Sequence, residues 1–314
     1  MKRTSTFPCG FIRTLIVTCA VFGYSHSSLA AEGAASNYFP GTYGDYAAAV
    51  GPDPGWIYFN YNLYYSADTD RAVLQGRESL ELDVYSYVNM SAFIYSFEQS
   101  VAGATFTMGG FLPFGVVDLE AQLAVSGEDG HASETDFGDA NLLPASLYWK
   151  GDKWHINLYE LVIAPTGQYD VDNDVNLGRN YWSFDTVVGV TYLDLEKGRD
   201  YSLVAGYMIN SENDDTDYQT GDEFHVDWML NQFFSESFAL GIHGYYYKQV
   251  EGDSGDGAIL GNFKGESVGI GPSFLWSPPA AEGRFSVTGS WLHDLDATNR
   301  LEADYAVVTL ICLL

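Results

Sequence analysis

Four ionisable residues are spaced so that they could share one face of a pair of strands. Glu223, His225 and Asp227 alternate with apolar residues, so a strand would place all three on the same side. Antiparallel pairing through a turn centred near Phe234 would bring His243, on the next alternating stretch, opposite His225. Imidazoles and carboxylates at that distance could exchange protons or bind a polar molecule. The alternative is a wall of hydrogen-bonded side chains, and two histidines do not make a metal site.

The other groups of residues that could do chemistry match known site motifs less well. Residues 170–176 carry alternating oxygen side chains like a calcium loop, but Val175 stands where the turn glycine belongs and Tyr181 where the bidentate glutamate belongs. The histidines are scattered and define no set with a nucleophile. The sequence therefore predicts no catalytic residue, no metal and no cofactor. The five histidines after residue 30 are His131, His155, His225, His243 and His293.

The elements that must position these groups are strands with a period of two. Phe224, Val226, Trp228 and Leu230 alternate with the ionisable residues and are predicted to face lipid. Most alternating runs last about 9 to 13 residues, whereas ordinary strands average about 5 to 6. Short connections alternate with longer acidic ones, as in membrane barrels. The predicted spans are 55–66, 79–96, 101–118, 138–149, 154–164, 182–193, 201–211, 222–232, 238–249, 265–277, 284–293 and 301–314.

This pattern predicts an all-β fold: a closed antiparallel transmembrane β-barrel of about twelve strands, with short periplasmic turns and longer acidic external loops. An even strand number puts both ends of the barrel in the periplasm. The strand count is least settled over residues 67–137, where residues 116–125 either extend the third strand or form a short extra element. Aromatic residues, at 16% of the chain, suit the interfacial belts of such a barrel.

The beginning of the chain reads as an export signal. Lys2, Arg3 and Arg13 accompany a short apolar run, and Ser28-Leu29-Ala30 provides a cleavage site after Ala30 or Ala31. We therefore divide the chain into a signal peptide (1–30), an N-terminal periplasmic segment (31–54) and an outer-membrane barrel (55–314).

Charge and hydropathy exclude several classes of protein. Without residues 1–30, 11 Lys and Arg face 42 Asp and Glu, a net charge of −31, so nucleic acid is not a partner. No segment after residue 30 approaches the roughly 18 consecutive apolar residues of a membrane helix. Only Cys312 remains after the signal, so no intramolecular disulfide can form. The expected partners are outer-membrane lipid, the barrel-assembly machinery and a small-molecule permeant.

From Phe137 onward the order of motifs resembles the outer-membrane barrel family named for the "MetA-pathway of phenol degradation", also described as SphA-like transporters. The resemblance rests on Phe137-Gly138-Asp139, on residues 165–170, 176–182 and 209–225, on Gly244-Tyr245 with Tyr247 and Gln249 leading to Asp253, and on Ile270-Gly271-Pro272. It implies an outer-membrane barrel with a proposed role in uptake of hydrophobic or aromatic compounds, and it supplies no catalytic residues. The loop residues of these motifs are Pro165, Thr166, Gly167, Tyr169, Asp170, Gly178, Asn180, Thr216, Tyr218, Gly221 and Asp222.

These observations favour a channel or transporter for passive uptake of small compounds, since a barrel of about twelve strands is too wide for wall side chains to fill. Two other functions stay open: a barrel enzyme acting on outer-membrane lipids, and a structural or adhesive barrel without transport. The sequence does not distinguish an open pore from a plugged lumen.

Overall fold

The computed structural model describes residues 31–32, 36–44, 46–69, 72–74, 77–123, 129–173, 175–258, 261 and 263–314. The predicted signal peptide, residues 1–30, lies outside the described residues, and so does Asp174 of the acidic loop. Across the described ranges, no helix has the length and apolar character needed to cross a membrane.

Sixteen strands occur in this part of the chain, and twelve of them form a barrel. They are β1 (Gly55–Thr69), β2 (Ala72–Leu74), β3 (Arg77–Val101), β4 (Ala104–Leu123), β5 (Asp129–Phe137), β6 (Ala140–Lys150), β7 (Trp154–Ala164), β8 (Ser183–Asp194), β9 (Arg199–Asn210), β10 (Glu212–Asn213), β11 (Tyr218–Gln219), β12 (Glu223–Ser235), β13 (Phe238–Gln249), β14 (Glu266–Trp276), β15 (Phe285–Thr298) and β16 (Glu302–Leu313).

The barrel runs in the order β3-β1-β16-β15-β14-β13-β12-β9-β8-β7-β6-β4, and pairing of β3 with β4 closes it. Neighbouring strands are antiparallel throughout. Closure leaves no unpaired barrel edge within the bilayer, where an unsatisfied backbone group would cost several kcal/mol. The predicted fold class is therefore confirmed, and each predicted strand span falls on one barrel strand.

The region that the sequence left unsettled contains both alternatives. β4 continues to Leu123, which extends the third predicted strand, and β5 is an extra strand that pairs with it, with Phe137 opposite Phe114. β2 adds a short pairing to β3. Both additions lie at the end of the barrel that carries the long connections.

The two ends of the barrel differ as predicted. Turns of a few residues join β3 to β4, β6 to β7, β8 to β9 and β12 to β13, and a 3-10 turn at Pro279–Ala281 lies between β14 and β15. β1 begins and β16 ends at this same end, which is the periplasmic one in our assignment. Exposed aromatic side chains surround it, as expected where a barrel meets the lipid headgroups. They include Trp56, Trp154, Tyr201, Phe238 and Trp276.

Inward and outward residues alternate along the strands. In β12, Glu223, His225 and Asp227 are fully buried, whereas Leu230 on the other face is 50% exposed. Sheet geometry requires this alternation, and polar residues inside with apolar residues outside are the arrangement of a membrane barrel. The strand faces expected for β12 are those that the structure has.

β1 does not follow that rule. Its more apolar face, including Ile57 and Leu63, points inward and is buried, while Asn60 and Asn62 point outward. The two outward amides satisfy each other and β3, because Asn60 Nδ2 donates to Asn89 Oδ1 (3.0 Å) and Asn89 Nδ2 donates to Asn62 Oδ1 (3.0 Å). Hydrogen bonding among themselves lowers the cost of placing these amides against hydrocarbon.

The N-terminal part lies elsewhere than predicted. We expected residues 31–54 to form a periplasmic segment, but the described residues between Ala31 and Ala49 contact the inside of the barrel and its long connections, from Asp253 to Thr191. We call residues 36–44 and 46–50 the lumen segment. It enters at the long-loop end, descends through the lumen and leaves near Pro52, whose carbonyl accepts from Ser96 Oγ of β3. Its backbone polar groups find partners in the inward-facing carboxylates, which explains why it can be buried there.

Candidate functional site

Acidic side chains on the inner wall are the main partners of the lumen segment. They come from strands β8, β9 and β12, and each is at zero exposure. A buried carboxylate is costly unless it accepts hydrogen bonds or pairs with a cation, so these groups need donors from across the lumen. The wall carboxylates are Asp185, Asp200, Glu223 and Asp227.

Asp227 connects the wall to the lumen segment at mid-height. Its Oδ2 accepts a hydrogen bond from the Tyr38 hydroxyl (2.7 Å), and its Oδ1 accepts from the Gly41 backbone N–H (3.3 Å). His243 of β13 lies 3.0 Å from the same Oδ1 through Nε2. One carboxylate therefore joins two strands and the segment.

His225 lies beside this group and is paired with a different carboxylate. Its Nε2 is 3.0 Å from Asp185 Oδ2 of β8. Two tyrosine rings of the lumen segment cover it: Tyr38 is stacked at 4.3 Å between ring centroids, and Tyr43 is tilted at 4.3 Å. Gly206 on β9 is required here, because a Cβ at that position would overlap the His225 ring.

The register that we predicted for the histidines is wrong. β12 pairs with β13 so that His225 is opposite Tyr247, Asp227 is opposite Tyr245, and Met229 is opposite His243. The partner of His225 is Tyr247, four residues from the predicted His243. Because four is an even number, every side chain keeps its predicted face. β12 continues to Ser235, beyond the predicted turn centre at Phe234, so the turn lies at Glu236 and Ser237. An irregularity between Phe233 and Ser235 adds a shift of one residue next to the turn.

The residues of the predicted polar cluster are nevertheless connected, through a residue outside the cluster. His225 and His243 do not face each other but are linked through Tyr38, which stacks on His225 and donates to Asp227, the partner of His243. Glu223 lies two residues before His225 on β12, nearer the long-loop end, and accepts a hydrogen bond from Ser36. Binding of a polar permeant by this cluster stays a prediction.

Lower in the barrel, the lumen segment is held by its backbone. The Ala47 N–H donates to Asp200 Oδ2 (2.6 Å) and the Ala49 N–H to Thr191 Oγ1 (2.9 Å). Asn231 Nδ2 also donates to Asp200 Oδ2 (2.9 Å). Main-chain donors impose no demand on residue type in the segment, so no sequence motif marks these contacts.

At the long-loop end, Asp139 organises the motif loops. Its Oδ1 accepts from the backbone N–H groups of Thr166 (2.9 Å) and Gly167 (2.8 Å), and its Oδ2 accepts from Arg179 N–H (2.7 Å). A Cβ on Gly167 would come within 2.8 Å of the Asp139 nitrogen, and one on Gly178 within 2.8 Å of the Gly167 carbonyl carbon. The three motifs therefore form one close-packed structure after β7, with Pro165 directly following that strand.

A second group of motif residues binds the start of the described chain. Glu32 accepts hydrogen bonds from Thr216 Oγ1 (2.6 Å) and Asn213 Nδ2 (3.0 Å). Burial raises the pKa of the Glu32 carboxyl, and the hydrogen bonds from Thr216 and Asn213 partly offset this. Tyr169 and Asn180 contact the same Asn213 side chain.

Asp253, in the connection after β13, completes this end of the site. Tyr218 donates its hydroxyl hydrogen to Oδ2 (2.6 Å) and Gly221 its N–H to Oδ1 (3.2 Å). Burial, followed by the hydrogen bond to Asp253, raises the pKa of Tyr218. The Ala31 nitrogen is a further donor, at 3.0 Å from Oδ2.

The remaining motif residues lie further out. Asp222 accepts from the Tyr207 hydroxyl (2.9 Å) on the outer surface. Asp170 accepts from Asp172 N–H (3.0 Å) within its own loop, and its backbone is bound by the Asn176 side chain. These contacts stabilise the loops.

The described residues include one group with metal-ligand spacing. Asp118, Glu120 and His131 offer ligand atoms within 4.8 Å of one another. His131 Nε2 is 3.2 Å from Asp118 Oδ1, and the two side chains are 59% and 38% exposed. The group has the properties of a surface ion pair on the β4–β5 extension.

A closed barrel with an apolar exterior, aromatic residues at one rim and a polar interior defines this chain as an outer-membrane β-barrel protein. The family described as "Putative MetA-pathway of phenol degradation" matches residues 66–310. The chain belongs to that family. No curated protein matches it.

Among solved structures, an outer membrane channel from Pseudomonas putida F1 has the same fold, with a TM-score of 0.70 at 20% identity. The match covers 88% of this chain and 100% of that one. The beta domain of the Bordetella autotransporter BrkA has a TM-score of 0.49 at 9% identity, covering 83% of this chain and 99% of that chain.

Proposed function

We propose that this protein is an outer-membrane channel for passive uptake of small compounds, including hydrophobic or aromatic ones, through a lumen whose width the lumen segment sets. The observation that carries the proposal is a twelve-stranded barrel whose interior holds a peptide segment packed among the wall side chains. Such a segment is bound by hydrogen bonds and ring contacts without pairing into the barrel sheet, so it can move without unfolding the wall. The P. putida relative is itself named a channel, which supports the proposal.

Aromatic side chains inside the barrel support the class of permeant. Tyr245 is 5.8 Å from Tyr305 between ring centroids, and Phe39 of the lumen segment lies 5.4 Å from Tyr305. Tyr245 and Tyr305 are buried against each other and the lumen segment, so a shift of the segment would free ring faces and edges on which a planar apolar molecule can stack. The family description, which mentions phenol degradation, agrees with an aromatic permeant.

The same site does not favour an enzyme. The two histidines of this site each have Nε2 on a carboxylate, His225 on Asp185 and His243 on Asp227. Across the described residues, no serine hydroxyl hydrogen-bonds either ring, and the His225 ring is covered by tyrosines. The groups therefore act as wall and segment contacts in our proposal, without a role in hydrolysis.

Proteoliposome swelling tests this proposal. A phenolic ammonium compound should enter faster than an aliphatic ammonium compound of the same charge and similar mass, because only the phenol can stack on the lumen tyrosines. Both compounds cross protein-free bilayers slowly, so empty liposomes give the baseline. Swelling at that baseline for both solutes would contradict a channel, and release of fatty acid from the liposome lipids would favour the enzyme instead.

We also expect the pore to prefer cations. The chain after residue 30 carries −31, and the inner wall bears the carboxylates described above, so cations are concentrated at the mouth and in the lumen. Reversal potentials across a KCl gradient should show cation selectivity that weakens as salt screens the charges. Anion selectivity at low ionic strength would contradict this expectation.

A further inference from the structure

The backbone nitrogen of Ala31 lies in a buried, negatively charged position. Ala31 is 6% exposed and Asp253 is 4% exposed, and the nitrogen is 3.0 Å from Asp253 Oδ2. This contact joins the first described residue to the connection between β13 and β14, at the outer end of the lumen.

The other partners of Asp253 are all neutral. Tyr218 OH, Gly221 N–H and Gln249 Nε2 donate hydrogen bonds to it. In the part of the chain that the structure describes, no lysine or arginine forms an ion pair with this carboxylate. A buried carboxylate without a cation is expensive, so the site is one charge short.

The sequence supplies that charge. Ser28-Leu29-Ala30 is the small-residue pattern that signal peptidases read. Hydrolysis of the bond between Ala30 and Ala31 would add the hydroxyl of water to the Ala30 carbonyl carbon and leave an amine on Ala31, which takes up a proton near neutral pH. The resulting ammonium group would stand where the amide nitrogen now meets Asp253.

The adjacent cleavage position does not fit. Cleavage after Ala31 would remove the donor to Asp253 and place the new ammonium on the Glu32 nitrogen. That nitrogen is 3.3 Å from the neutral Thr220 hydroxyl, and Asp253 would remain buried without a cation. The two cleavage positions that the sequence leaves open are therefore distinguished by the structure.

We propose that signal peptidase cleaves after Ala30 and that the new α-ammonium group of Ala31 forms a buried ion pair with Asp253, which fixes the start of the mature chain at the outer end of the lumen. Processing thus creates the cation that this site lacks. The inference does not depend on whether the barrel conducts, because it concerns the chemistry of Ala31 and of one carboxylate in the connection after β13.

Two measurements on the full-length protein purified from outer membranes test it. Intact mass and N-terminal sequencing should show a chain that begins at Ala31. A chain that begins at Glu32 or later overturns the proposal. An amine reagent used near neutral pH, where α-amines react ahead of lysines, should modify the folded protein's N-terminus at least about tenfold more slowly than that of the denatured chain.

Variants identify Asp253 as the cause of that protection. Asp253→Asn keeps the shape and an acceptor oxygen but removes the charge, so labelling of the N-terminus should become at least about tenfold faster. Asp222→Asn is the matched control, because Asp222 binds Tyr207 and makes no contact with Ala31 or Glu32. Equal labelling of the wild-type protein and the Asp253→Asn variant overturns the ion pair.

A second variant keeps Asp253 intact in case the first does not assemble. One glycine inserted between Ala30 and Ala31 moves the new amine by up to about 3.5 Å along the chain. The amine then no longer reaches Asp253, and its labelling should accelerate by the same factor. Protection that survives the insertion contradicts the proposal.

Discussion

Oxidation of a cysteine pair placed at residues 49 and 189 should stop solute permeation, and reduction should restore it. A Cβ built on Gly189 of β8 lies 3.4 Å from the Cβ of Ala49, close to the separation of a relaxed disulfide. The bond would fix the lower half of the lumen segment to the wall. If the segment must shift for a solute to pass, the swelling rate of liposomes containing the Ala49→Cys, Gly189→Cys variant falls to the empty-liposome rate under oxidising conditions.

The background for this experiment is Cys312→Ser, because Cys312 is the one cysteine after residue 30 and could otherwise mispair. Ala49→Cys alone in that background is the matched control and should conduct equally with and without reductant. Permeation that is undiminished in the oxidised pair would mean that solutes pass beside a stationary segment, and the proposal that the segment sets the width of the path would then need revision.

Local patterns predicted the barrel because the alternation of a strand's own residues is enough to identify it as a membrane-crossing strand. The run 154–164 alternates, starts after a turn and ends at a proline, and β7 occupies the same residues. The same information gave the inward position of Glu223, His225 and Asp227, since a period of two fixes faces once the strand is known.

The face of β1 could not be predicted in this way. Its apolar residues point inward because the lumen there contains a peptide instead of water: the Phe39 ring lies 6.4 Å from Tyr65 between centroids. An alternation rule assumes a wet interior, and nothing near residue 60 in the sequence signals a contact with residue 39. The outward Asn60 is tolerated because β3 supplies Asn89 as a partner.

The partners of the predicted cluster could not be predicted from the sequence either. Asp185 and Tyr38 meet His225 from 40 and 187 residues away, and the Tyr38 hydroxyl meets Asp227 across a separation of 189 residues. Such contacts follow from closure of the barrel and from the path of the segment. The histidine register failed for a smaller reason: β12 continues to Ser235, so the turn lies at Glu236 and Ser237 and not at Phe234.

Replacement of Asp227 should loosen the lumen segment and raise permeation. Asp227→Ala removes the acceptor for Tyr38 OH, Gly41 N–H and His243 Nε2 together, and leaves a tyrosine hydroxyl and an imidazole buried without that partner. Breaking a buried charged contact costs about 3–5 kcal/mol. We expect a lower temperature for loss of the folded barrel's mobility on a denaturing gel, together with faster swelling in liposomes.

The control separates loss of stability from loosening of the segment. Asp194 is equally buried and binds Lys153 Nζ at 2.8 Å in the β8–β9 turn region, but it makes no hydrogen bond to the lumen segment among the described residues. Asp194→Ala should therefore lower the unfolding temperature and leave permeation unchanged. If Asp227→Ala and Asp194→Ala affect permeation alike, the effect is general destabilisation.

Asp227→Asn refines the result, because it keeps one oxygen for Tyr38 or Gly41 and offers an amide N–H to His243, but lacks the charge. Hydrogen bonds to a charged group contribute about 1.5–3 kcal/mol, against about 1 kcal/mol for neutral ones. Its permeation should then lie between those of the wild-type protein and Asp227→Ala. Wild-type permeation in both Asp227 variants would show that the contacts of Tyr38, Gly41 and His243 with this carboxylate do not hold the segment in the lumen.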